Sequence, residues 1–171
     1  RPAGRIDPAQ AAEALSEAVG ELGLEVLPWS EAARQWRERV RCLREWQPGL
    51  GLPDFDDEAV LGSRADWLRP ALRGKTRLDA LDERELLEAL QSRLDWPQRQ
   101  ALDKLAPTGI EVPSGQRRGI HYQHGALPVL AVKLQELFGL ADTPCIAEGR
   151  VPLTLHLLSP GGKPLQVTQD L

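Results

Sequence analysis

The hydrophobic period of this chain changes once, at Leu105-Ala106-Pro107, and no other feature narrows its architecture as much. Before that point apolar residues recur at helical intervals of three and four. Beyond it they alternate, or gather in short runs between turn residues, as strands do. The expected class is α+β: an N-terminal helical part over residues 1–105, then a small antiparallel β part over residues 106–171. Charge shifts at the same place. The first part holds 16 of the 21 Lys and Arg, 20 of the 25 Asp and Glu and all five tryptophans, and it carries the whole net charge of −4. The two parts are either two domains or two subregions sharing one core, and no internal repeat or low-complexity stretch occurs in either.

In the helical part, Asp7 caps a first helix with Pro8 at its opening position, running through AQAAEALSEAVGELG. Ser30 caps a longer one, SEAARQWRERVRCLREW, which Pro48, Gly49 and Gly51 end. Asp56 or Asp57 starts a third around EAVLGSRADWL, which Pro70 is expected to interrupt. Asp82 opens ERELLEALQSRLDW with Leu86, Leu87, Leu90 and Leu94 on one face, and PQRQALDKL follows from Asp95 or Trp96. In the β part, IEV and RGIHYQ flank the turn PSG, PVLAVKL is a strand, and QELFG is one helical turn closed by Gly139. VPLTLHLLS sets Leu153, Leu155 and Leu157 on one face. SPGGKP turns it back into LQVTQ, giving a predicted hairpin between residues 151–158 and 165–169. Four or five such strands fit a small curled sheet or a partial barrel.

Composition removes several classes. With 42% hydrophobic and 27% charged residues among 171, the chain can fill a core, which excludes a fully disordered or collagenous protein. No run approaches the ~20 uncharged apolar residues of a membrane-spanning helix, and RPAGRIDPAQ lacks the basic-then-apolar order of a signal peptide. Two cysteines, Cys42 and Cys145, cannot make a disulfide framework, so a reducing, cytoplasmic setting is expected. The chain has no methionine, begins at Arg1 and stops at Leu171 just after a strand-like run, and a fragment of a longer protein is the expectation.

No catalytic constellation emerges. There is no GxxxxGK[ST]; Gly161-Gly162-Lys163 lies in the hairpin turn, where a strand follows at once instead of the helix a phosphate cradle needs. His121 and His124 lack a second ligand pair, and on a strand their spacing points them to opposite faces, so no metal site is expected. No GxSxG occurs, and neither cysteine lies in a nucleophile motif. The acids Asp56, Asp57 and Glu58 suit a helix start.

One pattern rises above the rest. Arg34, Arg37, Arg41 and Arg44 recur at spacings of 3, 4 and 3, which lines four guanidinium groups along one side of a helix beside the apolar stripe Trp29, Ala33, Trp36, Val40 and Leu43. Arginines next to aromatics suit phosphate contact and base stacking. The same row also suits a solvated face, since Glu31, Glu38 and Glu45 are near enough to pair with it, and the acidic balance argues against an autonomous nucleic-acid-binding domain. A second cluster, Gln116-Arg117-Arg118 with His121 and Tyr122, suits either a single-strand groove or a polar loop before an edge strand.

LPWSEAARQWRERVRCLREW, LDWPQRQALDKLAPTGIEVPSG, PVLAVKLQELFGLADTP and GRVPLTLHLLSPGGKPLQVTQDL follow in that order, and over nearly all of residues 20–171 they resemble the C-terminal region of bacterial HrpB-type ATP-dependent helicases, relatives of the DEAH-box RNA helicases. The resemblance implies two RecA-like motor domains, a winged-helix domain, a helical bundle and an OB-like module ahead of this region. ATP and Mg would be bound by those motor domains. The Walker A lysine, the DExH box and the arginine fingers have no matching position here, so no catalytic residue carries over. The implied partners are the motor domains of the same protein and nucleic acid, RNA foremost, with no membrane. Two departures stand out: Gly109 occupies a position where the family implies a longer side chain, and a tail rich in Trp, Arg, Tyr and Pro does not follow VTQDL. Two functions result. In one, the region guides a strand through Arg34, Arg37, Arg41 and Arg44, with Arg117, Arg118 and Tyr122 behind them. In the other, it is a structural or interaction module anchored through Trp67 and Trp96.

Overall fold

The computed structural model describes residues 7–168, and within them six α-helices precede seven strands. The helices are α1 (Pro8–Leu22), α2 (Glu31–Trp46), α3 (Asp57–Gly62), α4 (Arg64–Leu72), α5 (Glu83–Gln91) and α6 (Trp96–Leu105). The strands are β1 (Gly109–Glu111), β2 (Arg117–His121), β3 (Val129–Lys133), β4 (Cys145–Ile146), β5 (Val151–Pro152), β6 (Thr154–Leu158) and β7 (Pro164–Thr168).

Side-chain caps set the helix starts. Asp7 accepts from the Ala9 N–H at 3.2 Å, Ser30 Oγ from Ala33 at 3.0 Å and Asp56 from Ala59 at 2.7 Å. Asp82 and Glu85 accept from each other's backbone N–H at 2.7 and 3.2 Å, a reciprocal cap that fixes the start of α5. One boundary differs from expectation. Pro70 does not interrupt the third helix; the break comes at Ser63, and Pro70 sits in the last turn of α4. Ser63 Oγ donates to the carbonyls of Ala59 and Val60 at 2.8 and 3.3 Å, and the Arg64 guanidinium to that of Leu61 at 2.8 Å, so the groups released at the break find partners. On α5, Leu86 and Leu90 are buried, as is Leu94 beyond its end, whereas Leu87 is half-buried and Ala89 shares the inner face.

The described residues divide into two compact units. One holds the residues up to Arg37 with 49–96; the other holds 38–48 with 97 onward. In the first, Trp67, Leu68 and Leu72 of α4, Val19 of α1, and Leu86 and Leu90 of α5 form the centre of the core. Trp36 meets Phe55 edge-on with ring centroids 5.4 Å apart. Trp67, expected as an exposed anchor, is only 2% exposed, and its Nε1–H donates to the Val60 carbonyl at 3.0 Å. It belongs to the core because α4 packs between α1 and α5.

The second unit carries an open sheet in the order β1-β2-β3-β6-β7, with β4 and β5 as a separate pair. Every neighbouring pair is antiparallel except β3 and β6, which run parallel with Leu130 opposite Leu155 and Val132 opposite Leu157. The sheet is therefore mixed where an antiparallel one is expected, and it does not close into a barrel. The cause is the connection through residues 134–153, long enough to cross over and bring β6 back in the direction of β3. The predicted hairpin is β6 with β7: His156 lies opposite Val167, Ser159 N–H donates to the Lys163 carbonyl at 2.7 Å, and Gly162 takes φ +85° in the turn. Its first arm is divided at Leu153, whose N–H turns aside to the Pro144 carbonyl at 2.9 Å, and Gln169 of the second arm lies outside the described residues. Leu153, Leu155 and Leu157 are all buried, as their alternation predicts. Gly109 pairs with Gly119, and a Cβ there would sit 2.6 Å from the Arg118 carbonyl oxygen, so the close approach of β1 to β2 requires glycine. The change of period at Leu105 falls between α6 and β1, while packing groups α6 and residues 38–46 of α2 with the strands.

Candidate functional site

The arginines of α2 share a helix, as their spacing predicts, but they play different parts. In the first unit, Arg37 donates through Nε to the Phe55 carbonyl and through Nη2 to Asp57, both at 2.7 Å, and its side chain is only 15% exposed. It braces α2 to the segment leading into α3. Arg34 is exposed, with its guanidinium carbon 5.7 Å from the centre of the Trp29 ring, and Arg37 stands at the same distance from that ring. Trp29 is held by its Nε1–H, which donates to the Leu24 carbonyl at 2.8 Å.

In the second unit, Arg41 is half-buried and contacts Glu38 and His124 Nδ1, each at 3.2 Å. A guanidinium only donates, so Nδ1 accepts and the ring proton sits on Nε2, 3.1 Å from Glu45. The His124 N–H also donates to Glu38 at 3.1 Å. Arg44 is exposed. Arg39 escapes the sequence reading altogether: it is 5% exposed, donating to the Ala106 carbonyl at 2.7 Å and to Asp103 at 3.1 Å. Its signal was its register, since position 39 falls with Trp36, Val40 and Leu43 on the apolar stripe.

The second cluster divides in the same way. Arg117 is exposed and donates to Thr108 Oγ1 at 2.9 Å. Arg118 pairs with the buried Glu136 at 2.6 and 2.8 Å. That guanidinium, aided by the Lys133 N–H at 3.0 Å, holds the Glu136 carboxyl below the ordinary glutamate range. Tyr122, expected as a stacking platform, is 1% exposed and donates its hydroxyl to the Pro107 carbonyl. Alternation past β2 turns Ile120 and Tyr122 inward and leaves His121 outside, so Tyr122 presents no ring to a ligand. Burial pushes its hydroxyl pKa well above the usual value. Of the seven candidate residues, Arg34, Arg44 and Arg117 are exposed, Arg37, Arg41 and Arg118 are half-buried braces, and Tyr122 belongs to the core.

A cavity of about 210 Å³ opens beside the Arg41–His124–Glu45 chain, lined by Cys42, Glu45, Trp46, Gly125, Ala126 and Leu127. The Cys42 thiol donates to the Gln123 carbonyl at 3.6 Å; burial, then Glu38 and Glu45, push its pKa up to about 12, so it is neutral. Charge also divides by unit. Residues 38–48 and 97–171 carry ten Lys and Arg against eight Asp and Glu, a balance of +2, which leaves −6 on the other unit. Among the described residues no group of three His, Cys, Asp or Glu is placed to hold a metal, and no helix is long and apolar enough to cross a membrane.

The fold defines a class: a helix-first α+β module whose second unit carries an open mixed sheet. The chain belongs to the ATP-dependent helicase C-terminal family, HrpB_C, whose model matches residues 67–171. The ATP-dependent RNA helicase HrpB of Escherichia coli (strain K12) is 42% identical over 159 residues, which is 93% of this chain and 20% of that protein. The crystal structure of the E. coli DExH-box NTPase HrpB matches at TM-score 0.92 and 39% identity over 99% of this chain and 21% of that one. That of the Escherichia coli DEAH/RHA helicase HrpB gives 0.89 at 39% identity, over 100% and 22%. The chain thus spans about a fifth of the length of these relatives.

Proposed function

We propose that this region is the C-terminal accessory part of an ATP-dependent RNA helicase of the cytoplasm, helping to guide the nucleic-acid strand while motor domains elsewhere in the same protein hydrolyse ATP with Mg. The charge distribution carries the reading: a unit of balance +2 within a chain of −4 exposes Arg44 and Arg117, cations suited to phosphate oxygens. In the other unit, Arg34 beside Trp29 offers a cation and an aromatic face together. No step of ATP hydrolysis is assigned to this chain. Its Gly161-Gly162-Lys163 turn joins two strands, a geometry that does not fit a phosphate cradle.

The test is a salt titration of strand binding by the full-length protein with Arg44→Glu and Arg117→Glu together. The slope of log affinity against log salt falls by roughly 1–2 units. Melting stays native, because exposed substitutions cost less than ~0.5 kcal/mol. An unchanged slope with native melting refutes the reading. A second reading, an interaction module that clamps the motor, is favoured by Trp96 and Phe138, each 70% exposed, and by Leu134 at 45%. Under that reading Phe138→Ala weakens association with the motor domains and leaves the salt slope alone.

A further inference from the structure

We propose that the cavity beside α2 in the second unit is a pocket for one unpaired nucleobase, preferring bases that carry an exocyclic amino group. The proposal rests on the strand-guiding reading and names what that surface would recognise. One wall is the half-buried Trp46, whose ring lies 6.4 Å from that of Tyr122 and whose indole N–H makes no hydrogen bond among the described residues. An indole face stacks on any base, and its edge can donate to a ring nitrogen or carbonyl. The lining also includes a loop of small side chains, Gly125 and Ala126, followed by Leu127. Gly125 holds φ +86° with nothing within 4 Å of where a Cβ would lie, so the loop leaves room for a flat ring.

Selectivity comes from Glu45. One carboxylate oxygen, Oε2, is engaged by His124 at 3.1 Å; the other makes no hydrogen bond among the described residues. A carboxylate oxygen beside an aromatic wall accepts from the amino group of cytosine or adenine, and uracil has no such donor. The same negative charge repels a phosphate, so the base enters and the backbone stays outside the cavity. The neutral Cys42 thiol adds no charge to the pocket.

The experiment measures binding of the full-length protein to twelve-nucleotide oligo(rA), oligo(rC), oligo(rU) and an abasic ribose-phosphate strand by fluorescence anisotropy at one salt concentration. Oligo(rA) and oligo(rC) should bind more tightly than oligo(rU), and the abasic strand most weakly. Trp46→Ala should weaken oligo(rA) by about tenfold, the scale of one lost stack, and Trp46→Phe should restore most of it. Glu45→Leu, which removes the acceptor oxygen, should abolish the advantage of oligo(rA) and oligo(rC) over oligo(rU). Because Trp46 is half-buried, Ala126→Phe provides an independent check: it fills the cavity from an exposed loop position and should cost the same tenfold with native melting. Equal affinity for all four strands, or wild-type binding by Ala126→Phe, overturns the pocket. If that equal binding still loses salt slope with the Arg44→Glu and Arg117→Glu pair, the strand-guiding reading survives alone. Failure to bind any strand overturns both.

Discussion

A guanidinium can grip a phosphate or brace a fold, and at the residue scale its neighbours decide which. Arg37 braces: Arg37→Ala leaves the Phe55 carbonyl without its donor and Asp57 without its partner, and should lower stability by about 1.5–3 kcal/mol in thermal melting. Arg34→Ala, at an exposed site, should stay within ~0.5 kcal/mol. Spacing made the shared helix legible for Arg34, Arg37, Arg41 and Arg44, but nothing local in the sequence distinguishes Arg37 from Arg34, because Phe55 and Asp57 lie far along the chain. Tyr122 was misplaced for a related reason: its inward direction depends on the register of β2, which only pairing fixes. Gly109→Ala should cost about 1–3 kcal/mol, since the added carbon meets backbone that cannot swing away. Alkylation discriminates the thiols. At pH 8 Cys145, exposed, reacts, while the buried neutral Cys42 stays unmodified until the protein unfolds, which mass spectrometry after brief treatment would show.

At the scale of elements, what is settled within a few residues was legible. The starts of α1, α2, α3 and α5 coincide with Asp7, Ser30, Asp56 and Asp82 because a cap acts through its own neighbours. The break at Ser63 was not, since it depends on Ser63 and Arg64 capturing carbonyls that an intact helix would have used. Between β2 and the helical turn Leu134–Leu137, the Arg118–Glu136 pair makes a pH prediction. The folded-state pKa of Glu136 is depressed, so the pair's stabilisation is present above the ordinary glutamate value and is lost as pH falls through the folded value. Glu136→Gln should therefore melt below the wild type at neutral pH, and the gap should narrow as the pH is lowered through the carboxylate range. A gap that stays constant with pH would exclude the pair as its source.

For the whole molecule, the change of hydrophobic period located the passage from helices to strands but not the packing, because residues 38–46 of α2 group with α6 and the strands through residues distant in sequence, as where Arg39 meets Asp103. The units differ in charge by more than the sequence halves do, −6 and +2 against −4 and zero, so salt should affect strand binding mainly through substitutions in residues 38–48 and 97–171. Incubated with ATP and Mg, this chain alone should release no phosphate above a buffer control. Steady turnover that survives further purification would contradict the assignment of hydrolysis to other domains.

The parallel pairing of β3 with β6 also dictates an order of events during folding. The β6–β7 hairpin closes over residues 159–163, whereas β3 meets β6 only after residues 134–153 have been looped out. The fourfold longer loop adds about 1.2 kcal/mol of closure entropy at roughly 0.6 kcal/mol per doubling. The β6–β7 hairpin can therefore assemble early, while the pairing of β3 with β6 forms after it and completes the sheet. Val132→Ala should accordingly speed unfolding and leave the folding rate nearly unchanged in stopped-flow kinetics, and Leu157→Ala should slow folding. Until β3 arrives, one edge of β6 stands open, so the backbone of residues 154–158 offers an unpaired strand edge at that stage.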